Sequence, residues 1–237
     1  MSGPLLLIET ATRHAVVALA DPNGTLVEAE QWQSAHRHGE ELLPRLDRLL
    51  ADSGTPRSAL AAVVVGTGPG SFTGLRIGLA TAKTIAYSLE LPIVGLPTMQ
   101  LLARAAANAD QASAGRLAIV LPAGVGDRYV ARYEVDTVTV LELDPPTLVP
   151  AAQIRARQTA GDRLVTVDLP PTEAAADADE LGRRAQAGLA AALAGEGARA
   201  LAAGKSADVA ALVPQYVALP RGVPAANVEM AWSPDLR

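Results

Sequence analysis

Cysteine is absent from the 237 residues, and the chain has only one phenylalanine and three histidines. The lack of cysteine excludes disulfides, thiolate nucleophiles and cysteine-ligated zinc sites. The histidines lie at positions 14, 36 and 38, without an HExxH or HxxxH pair. We therefore interpret them as solvated or capping residues, and we expect neither a metal site nor a Ser-His-Asp triad.

Long apolar runs and an excess of positive charge are also missing. The longest apolar stretches, such as Leu60–Val65, are far shorter than the roughly 20 residues that cross a bilayer. The first residues, Met1–Pro4, carry no positive charge of a secretory signal. Lys and Arg number 20 against 25 for Asp and Glu, so the net charge is -5. We expect a cytoplasmic protein that contacts no membrane and does not grip nucleic acid by itself.

The first hundred residues alternate between strand and helix patterns. Short apolar runs predict buried strands, the Asp21–Gly24 turn predicts a hairpin, and leucines spaced by three and four residues predict a helix. The predicted strands are 5–8, 15–20, 25–32, 61–65 and 92–95, and the predicted helices are one ending near 53–54, one over 75–89 and one beginning at 97–98. This order indicates an α/β lobe with a mixed sheet.

The second half is less regular. Strands are predicted over 117–121, 129–135, 137–143 and 165–169, with a break at Asp144–Pro146. One helix is predicted over 177–193, and the tail from residue 219 is expected to be irregular. We accordingly divide the chain into an N-terminal lobe, 1–104, and a smaller, divergent second lobe, 105–237.

A glycine-rich segment, 66–74, joins a predicted strand to a predicted helix. Such a turn can present backbone N–H groups to an anion, with Gly68, Gly70 and Ser71 as the candidates. The spacing is neither GxGxxG nor GxxxxGK[ST], so a purely conformational role is equally open. Glu9, Thr10 and Thr12 follow the first strand and could hold a metal–phosphate group, or could simply satisfy backbone groups.

The helix after this segment has a smooth face of small residues, formed by Gly74, Gly78, Ala82 and Ala86. A glycine within a helix costs about 1 kcal/mol relative to alanine, so Gly78 requires a compensating contact. That contact could be the backbone of another helix or the protein's own sheet. The single phenylalanine, Phe72, is either a core residue or an anchor for a partner.

Several segments together resemble the TsaB (YeaZ) family. They are LLLIETAT at 5–12, HGEELLP at 38–44, GPGSFTGLRIG at 68–78, and the stretch 80–98. The resemblance implies an α/β, actin/Hsp70-like (ASKHA, ribonuclease H-like) fold of two lobes, with mixed sheets flanked by helices. It also implies a non-catalytic scaffold subunit of the bacterial machinery that makes threonylcarbamoyladenosine beside the anticodon of tRNA.

The same resemblance implies partners and a contact surface. The partners would be a TsaD-type catalytic paralogue, a TsaE-type ATPase and a second copy of the chain in a homodimer, with tRNA reached only through the complex. No cofactor is expected for this subunit, whereas its partner subunits would use ATP and Mg. The implied contact residues are Leu42, Leu46, Leu49, Phe72, Gly74, Leu75, Gly78, Leu79 and Ala82. Gly78→Leu is then expected to block partner binding and leave the fold intact.

The chain departs from the family pattern at nucleotide-binding positions. Glu9 occupies the acidic position of the first phosphate loop, but the family's Asp-Ala-Arg and Gly-Glu element reads Pro122–Asp127 here. The terminal Pro-x-Tyr-Leu-Arg reads Pro214–Ala218, without the arginine. The alternative to a scaffold is an ASKHA-type ATPase or phosphotransferase that acts alone through Glu9, Thr10, Thr12 and the glycine-rich turn. A glycoprotease activity, the third hypothesis, lacks metal-ligating histidines and cysteine.

Overall fold

A computed structural model describes residues 3–34, 38–109, 115–154, 159, 161–170 and 172–217. Two sheets carry the fold, one of five strands in the order β3-β2-β1-β4-β5 and one of four in the order β8-β7-β6-β9. The strands are β1 Leu5–Glu9, β2 His14–Ala20, β3 Leu26–Gln33, β4 Ala62–Gly66, β5 Ile93–Leu96, β6 Gly115–Pro122, β7 Asp127–Val135, β8 Val140–Pro150 and β9 Asp162–Thr166. The α-helices are α1 His38–Asp52, α2 Phe72–Ser88, α3 Thr98–Ala109, α4 Ala176–Ala187 and α5 Leu189–Ala202.

The first sheet confirms the mixed topology that the sequence predicts. β1 pairs in parallel with β4 and antiparallel with β2, and β4 pairs in parallel with β5. Every residue of β1 and β4 is buried, as expected of central strands covered on both faces. The Asp21–Gly24 turn joins β2 to β3, where Gly24 has φ 86°.

Helices cover both faces of this sheet. α1 and α2 pack on one face, in a core that contains Leu6, Ile8, Val63 and Val65. α3 and α5 pack on the other face against Leu5, Leu7 and Val64. The same core continues through α4 to Ile119 and Val165 of the second sheet, so these helices form a layer between the sheets. The predicted boundary at residues 104 and 105 falls inside α3, and the division into lobes there stays a prediction.

The second sheet corrects one prediction. The expected break at Asp144–Pro146 is wrong, because β8 runs without interruption from Val140 to Pro150. β8 lies at the edge of its sheet, where a proline need not donate to a neighbouring strand. The irregularity shows instead as register shifts in the pairing with β7 between Val130 and Tyr133.

The single helix predicted over 177–193 is also wrong. Gly188 separates α4 from α5, with φ -85° and ψ 0°. After α5 the chain returns along the first sheet, where Ala207 forms an isolated antiparallel bridge with Ile93. The tail predicted from residue 219 lies outside the described residues. None of the helices within the described ranges has the length and apolar character needed to cross a bilayer.

Candidate functional site

The glycine-rich turn packs tightly against the loop that follows β1. The Ser71 N–H donates to the carbonyl of Ala11 at 2.7 Å, and Ser71 Oγ accepts from the Gly74 N–H at 3.2 Å, which caps α2. A Cβ at position 70 would overlap the Ala11 carbonyl. These contacts supply a conformational reason for the glycine at 70 and a capping role for Ser71.

The small-residue face of α2 meets the same loop. Thr10 Oγ1 donates to the carbonyl of Gly74 at 2.7 Å. A Cβ at position 74 would overlap the Thr10 carbonyl oxygen, and a Cβ at position 78 would overlap Thr10 Oγ1. The contact that compensates for Gly78 therefore comes from the chain's own loop. The expectation that Gly78→Leu leaves the fold intact is wrong, since the added side chain has no room within this chain.

The aliphatic residues assigned to a partner contact are covered by the chain itself. Leu42, Leu46, Leu49, Leu75, Leu79 and Ala82 are at most 3% exposed and belong to the core on the first sheet. Their side chains present no surface to a partner in this conformation. The apolar spacing in the sequence identified the buried faces of α1 and α2. It could not show whether a partner or the protein's own sheet covers them, because apolar periodicity indicates burial only.

The opposite faces of these two helices are open to solvent. On α2 they include Thr73, Arg76, Ala80, Thr84 and Tyr87, spaced by three or four residues. On α1 they include Leu43, Asp47 and Arg48. Leu43 is 52% exposed and Tyr87 is 77% exposed. A contact through α1 and α2 stays a prediction, and it would use these exposed residues.

Phe72 is half-buried at the start of α2, where it packs on the C-terminal return. Its ring centroid lies 5.6 Å from that of Tyr216, and the Arg76 guanidinium lies 3.8 Å from the ring centre. Arg76 Nε also donates to the Tyr216 hydroxyl at 3.3 Å. The aromatic residue is therefore an intrachain anchor for residues 214–217, a role that its position alone could not reveal.

Backbone and side-chain contacts hold this return on α2. The Gln215 N–H donates to the Thr67 carbonyl at 2.8 Å. Lys83 Nζ donates to the carbonyls of Leu212 and Ala210 at 3.0 and 3.2 Å. Partial burial lowers the pKa of Lys83, and the nearby Asp208 carboxylate opposes that shift. No sequence pattern predicted this segment, since it has no periodicity.

Glu9 is fully buried and turned away from solvent. Its Oε1 accepts from the Ala11 N–H at 2.6 Å and its Oε2 from the Thr98 hydroxyl at 2.8 Å. The Thr98 oxygen in turn accepts from the Gly68 N–H at 3.0 Å. Burial raises the pKa of Glu9, although these hydrogen bonds oppose the shift. The carboxylate thus joins three segments, and it does not fit a metal–phosphate group.

The other members of the predicted phosphate loop have intrachain partners as well. Thr10 binds α2, and Thr12 Oγ1 donates to the His14 carbonyl at 2.9 Å. Within the residues that the structure describes, no three His, Asp or Glu side chains form a group that could hold a metal ion. Glu9, Thr10 and Thr12 therefore lie close together as predicted, but their side chains hold neighbouring segments of the chain in place. We call this group the structural junction.

A cleft of about 610 Å³ opens beside this junction, between the two sheets. Its walls include the loops that follow β1, β4, β6 and β9, and we name it the interlobe cleft. Asp168, after β9, is one of its lining residues. Its Oδ2 accepts from the Arg13 N–H at 2.7 Å, and its Oδ1 accepts from Gln186 Nε2 at 2.8 Å. The Asp168 side chain is only 5% exposed. Sequence reasoning missed Asp168 and Gln186, because neither belongs to a motif.

Comparison with known proteins gives a family match over most of the chain. The family model described as "TsaD: tRNA N6-adenosine threonylcarbamoyltransferase" matches residues 32–219. Among solved structures, "YeaZ from Pseudomonas aeruginosa" superposes with a TM-score of 0.69 at 25% identity, covering 91% of this chain and 100% of that one.

Two curated relatives align over shorter regions. The "tRNA threonylcarbamoyladenosine biosynthesis protein TsaB" of Escherichia coli K12 is 36% identical over 132 residues, which are 56% of this chain and 55% of that protein. The TsaB protein of Bacillus subtilis is 30% identical over 130 residues, 55% of each chain. The aligned region thus spans about half the length of these curated relatives.

Proposed function

Since the chain belongs to the tRNA N6-adenosine threonylcarbamoyltransferase (TsaD) family and is similar to TsaB and YeaZ proteins, we propose that it serves as a non-catalytic scaffold in tRNA threonylcarbamoyladenosine synthesis. In this role it binds and positions a TsaD-type catalytic paralogue in the cytoplasm. The complex, and not this subunit, contacts tRNA and uses ATP and Mg. A TsaE-type ATPase joins the same complex.

The buried position of Glu9 is the observation that favours a scaffold over an enzyme. An ASKHA-type ATPase acting alone would need an accessible carboxylate where β1 ends, and Glu9 is 0% exposed there. Its two carboxylate oxygens are engaged by Ala11 and Thr98. The acidic net charge of the chain, -5, also suits a subunit that leaves tRNA to its partners.

The exposed face of α1 and α2 is the surface that we assign to the catalytic paralogue. It combines two exposed apolar side chains, Leu43 and Tyr87, with the small residues Ala80 and Thr84. Small residues allow a partner helix to approach closely, and aliphatic and aromatic groups supply apolar area worth about 25 cal/mol per Å² buried.

Complex formation with the purified catalytic paralogue tests this proposal. We expect a stable complex by size-exclusion chromatography with light scattering, and we expect Ala80→Arg or Leu43→Glu to weaken it by about tenfold or more. Leu141→Glu is the matched control, because Leu141 is 58% exposed on β8 of the other sheet. No complex with the wild-type chain, or equal weakening by the control, would contradict the proposal.

The isolated chain should also be assayed for saturable ATP binding and hydrolysis. The scaffold proposal expects no turnover by this subunit and threonylcarbamoyladenosine synthesis only when its partners are added. Turnover by the lone chain that is lost on Glu9→Gln would instead support the ATPase alternative.

A further inference from the structure

The interlobe cleft presents apolar side chains to solvent. Three large apolar residues that line it are exposed: Val125 in the turn between β6 and β7, Leu148 on β8, and Tyr216 on the C-terminal return. We call these three residues the apolar mouth. A volume of about 610 Å³ leaves room beside them for several side chains. Exposed apolar groups that converge on one cavity are typical of a surface that another segment or molecule covers.

The charged residues of the cleft favour an occupant with little net charge. The lining includes one cation, Arg13, and two carboxylates, Asp127 and Asp168. The Asp168 side chain is buried, and its two oxygens already accept hydrogen bonds from the Arg13 N–H and from Gln186. This mixture of signs matches neither a polyanion nor a polycation. The lining therefore points to an apolar and nearly neutral occupant.

The chain itself carries a segment of this chemistry next to the cleft. Residues 218–237 follow directly on the C-terminal return, whose Tyr216 belongs to the apolar mouth. We call them the C-terminal segment. The family model matches residues 32–219, so nearly all of this segment lies beyond the matched region. The segment is therefore a feature of this chain that the family match does not explain.

The sequence of the C-terminal segment suits the cleft. Val228, Met230 and Trp232 are spaced by two residues, so they share one side when the backbone is extended. The stretch from residue 217 to residue 228 spans up to about 35 Å, which is ample for reaching the apolar mouth. The two basic and two acidic residues of the segment balance in charge: Arg221, Arg237, Glu229 and Asp235.

We propose that the C-terminal segment docks into the interlobe cleft of its own chain. Val228, Met230 and Trp232 pack against the apolar mouth, and the indole of Trp232 supplies the largest apolar surface of the three. Because the segment is tethered beside the cleft, its effective concentration there is in the millimolar range. The segment closes the cleft, and a small molecule or a partner that enters the cleft must displace it.

Fluorine NMR of the full chain labelled with 5-fluorotryptophan tests this contact. The chain has two tryptophans, and Trp232→Phe assigns their signals. Trp32 is buried in the core, so its signal reports whether the fold is intact. We expect a soluble gadolinium chelate to relax the Trp232 signal about threefold less than in the urea-unfolded chain, since a docked indole is shielded on one face.

Two outcomes of this measurement would overturn the proposal. One is a Trp232 signal that the chelate relaxes as strongly in the folded chain as in the unfolded chain. The other is shielding that disappears on dilution, because the segment would then occupy the cleft of a second copy.

Paired substitutions on the folded chain provide a matched control. Val125→Ser combined with Leu148→Ser removes two apolar contacts, and it should increase the relaxation of the Trp232 signal about twofold or more. Val138→Ser combined with Leu141→Ser makes the same exchange at two exposed residues that are not part of the cleft lining. This control should leave the Trp232 signal unchanged. Equal effects of the two pairs, with the core tryptophan signal unaltered, would contradict the proposal.

A nitroxide label gives a readout that leaves the cleft unchanged. The chain lacks cysteine, so Ser233→Cys places a single label beside Trp232. We expect the label to broaden the amide signal of Leu148 and to spare that of Leu141, which lies about 23 Å farther along β8. The reduced label is the diamagnetic reference. Equal broadening at both positions, or broadening at neither, would refute docking in the cleft.

Discussion

Thr10 is a buried residue whose backbone and side chain both contact α2. It is 2% exposed, its hydroxyl donates to the Gly74 carbonyl, and its own carbonyl lies where a Cβ at position 74 would be. The Thr10 hydroxyl gives the Gly74 carbonyl a donor from outside the helix, and the two glycines allow the helix to approach the loop. The close packing of the helix on the loop thus offsets the low helix propensity of the two glycines.

Gly74→Ala should therefore lower the free energy of unfolding by about 2–3 kcal/mol, because the obstructing atom is backbone and cannot rotate away. Gly39→Ala is the matched control in α1, since the nearest atom to its added Cβ, Ile77 Cδ1, lies at an ordinary 3.5 Å. The control should be neutral or stabilising by up to about 1 kcal/mol. Equal effects of the two variants in urea unfolding would refute this account of the small-residue face.

Glu9 gives a pH dependence whose sign follows from its burial. Its pKa in the folded state lies above the ordinary 4.5, so the folded chain holds this proton more tightly than the unfolded chain. The contribution of Glu9 to stability is therefore present below pH 4.5 and is lost as the pH rises through the folded-state pKa. Glu9→Gln has no such titration.

The free energy of unfolding of the wild type relative to Glu9→Gln should accordingly decrease as the pH rises above 4.5 and through the folded-state pKa. Chemical denaturation of both chains at each pH measures this difference, and other titrating groups cancel because both chains share them. A difference that grows with pH would contradict this prediction. It would mean that the hydrogen bonds from Ala11 and Thr98 lower the pKa of Glu9 more than burial raises it.

At the scale of the elements, Arg104 fastens the helical layer between the sheets. It lies on α3 and is 3% exposed. Its Nε donates to Glu196 Oε1 of α5 at 2.9 Å, and its Nη1 donates to the Asp136 carbonyl after β7 at 2.5 Å. One guanidinium thus connects two helices and the second sheet, in a region where solvent cannot replace the lost contacts.

Arg104→Ala should lower the free energy of unfolding by about 3 kcal/mol, since it leaves the Asp136 carbonyl and Glu196 without this partner. Arg199→Ala is the control, because Arg199 pairs with the same Glu196 but its side chain is 49% exposed. The control should cost about 1 kcal/mol or less. Comparable losses for the two variants would show that burial of the ion pair is unimportant.

The elements also show where sequence patterns are informative. Continuous apolar runs predicted β1 and β4, and leucine periodicity predicted α1, because burial on a sheet requires those patterns. The C-terminal return escaped prediction, since it is held by tertiary contacts such as that of the Gln215 N–H with the Thr67 carbonyl. The split at Gly188 escaped prediction as well. The stripe at Gly74 and Gly78 correctly predicted a close approach, but a stripe of small residues does not identify its partner.

At the scale of the whole molecule, the resemblance to the TsaB (YeaZ) family and the ASKHA-like fold are confirmed by the family match and by the superposition on YeaZ. Two sheets with a shared helical layer place a cleft between the lobes, and Asp168 is among the residues that line it. This residue follows β9 of the second sheet, whereas Arg13 precedes β2 of the first. Their hydrogen bond therefore links the two halves of the chain directly.

Asp168→Gly tests this link, because glycine adopts the native φ of 59° without strain and lacks the side chain that carries the carboxylate. The amide of Arg13 should then exchange with solvent about tenfold faster, corresponding to roughly 1.4 kcal/mol of lost protection. Glu90→Gly is the matched control, since Glu90 is acidic and exposed, with φ 52° at the end of α2. It should leave the Arg13 exchange rate unchanged. If both variants accelerate exchange at Arg13 equally, the glycine backbone and not the missing carboxylate is responsible, and Asp168 does not join the lobes.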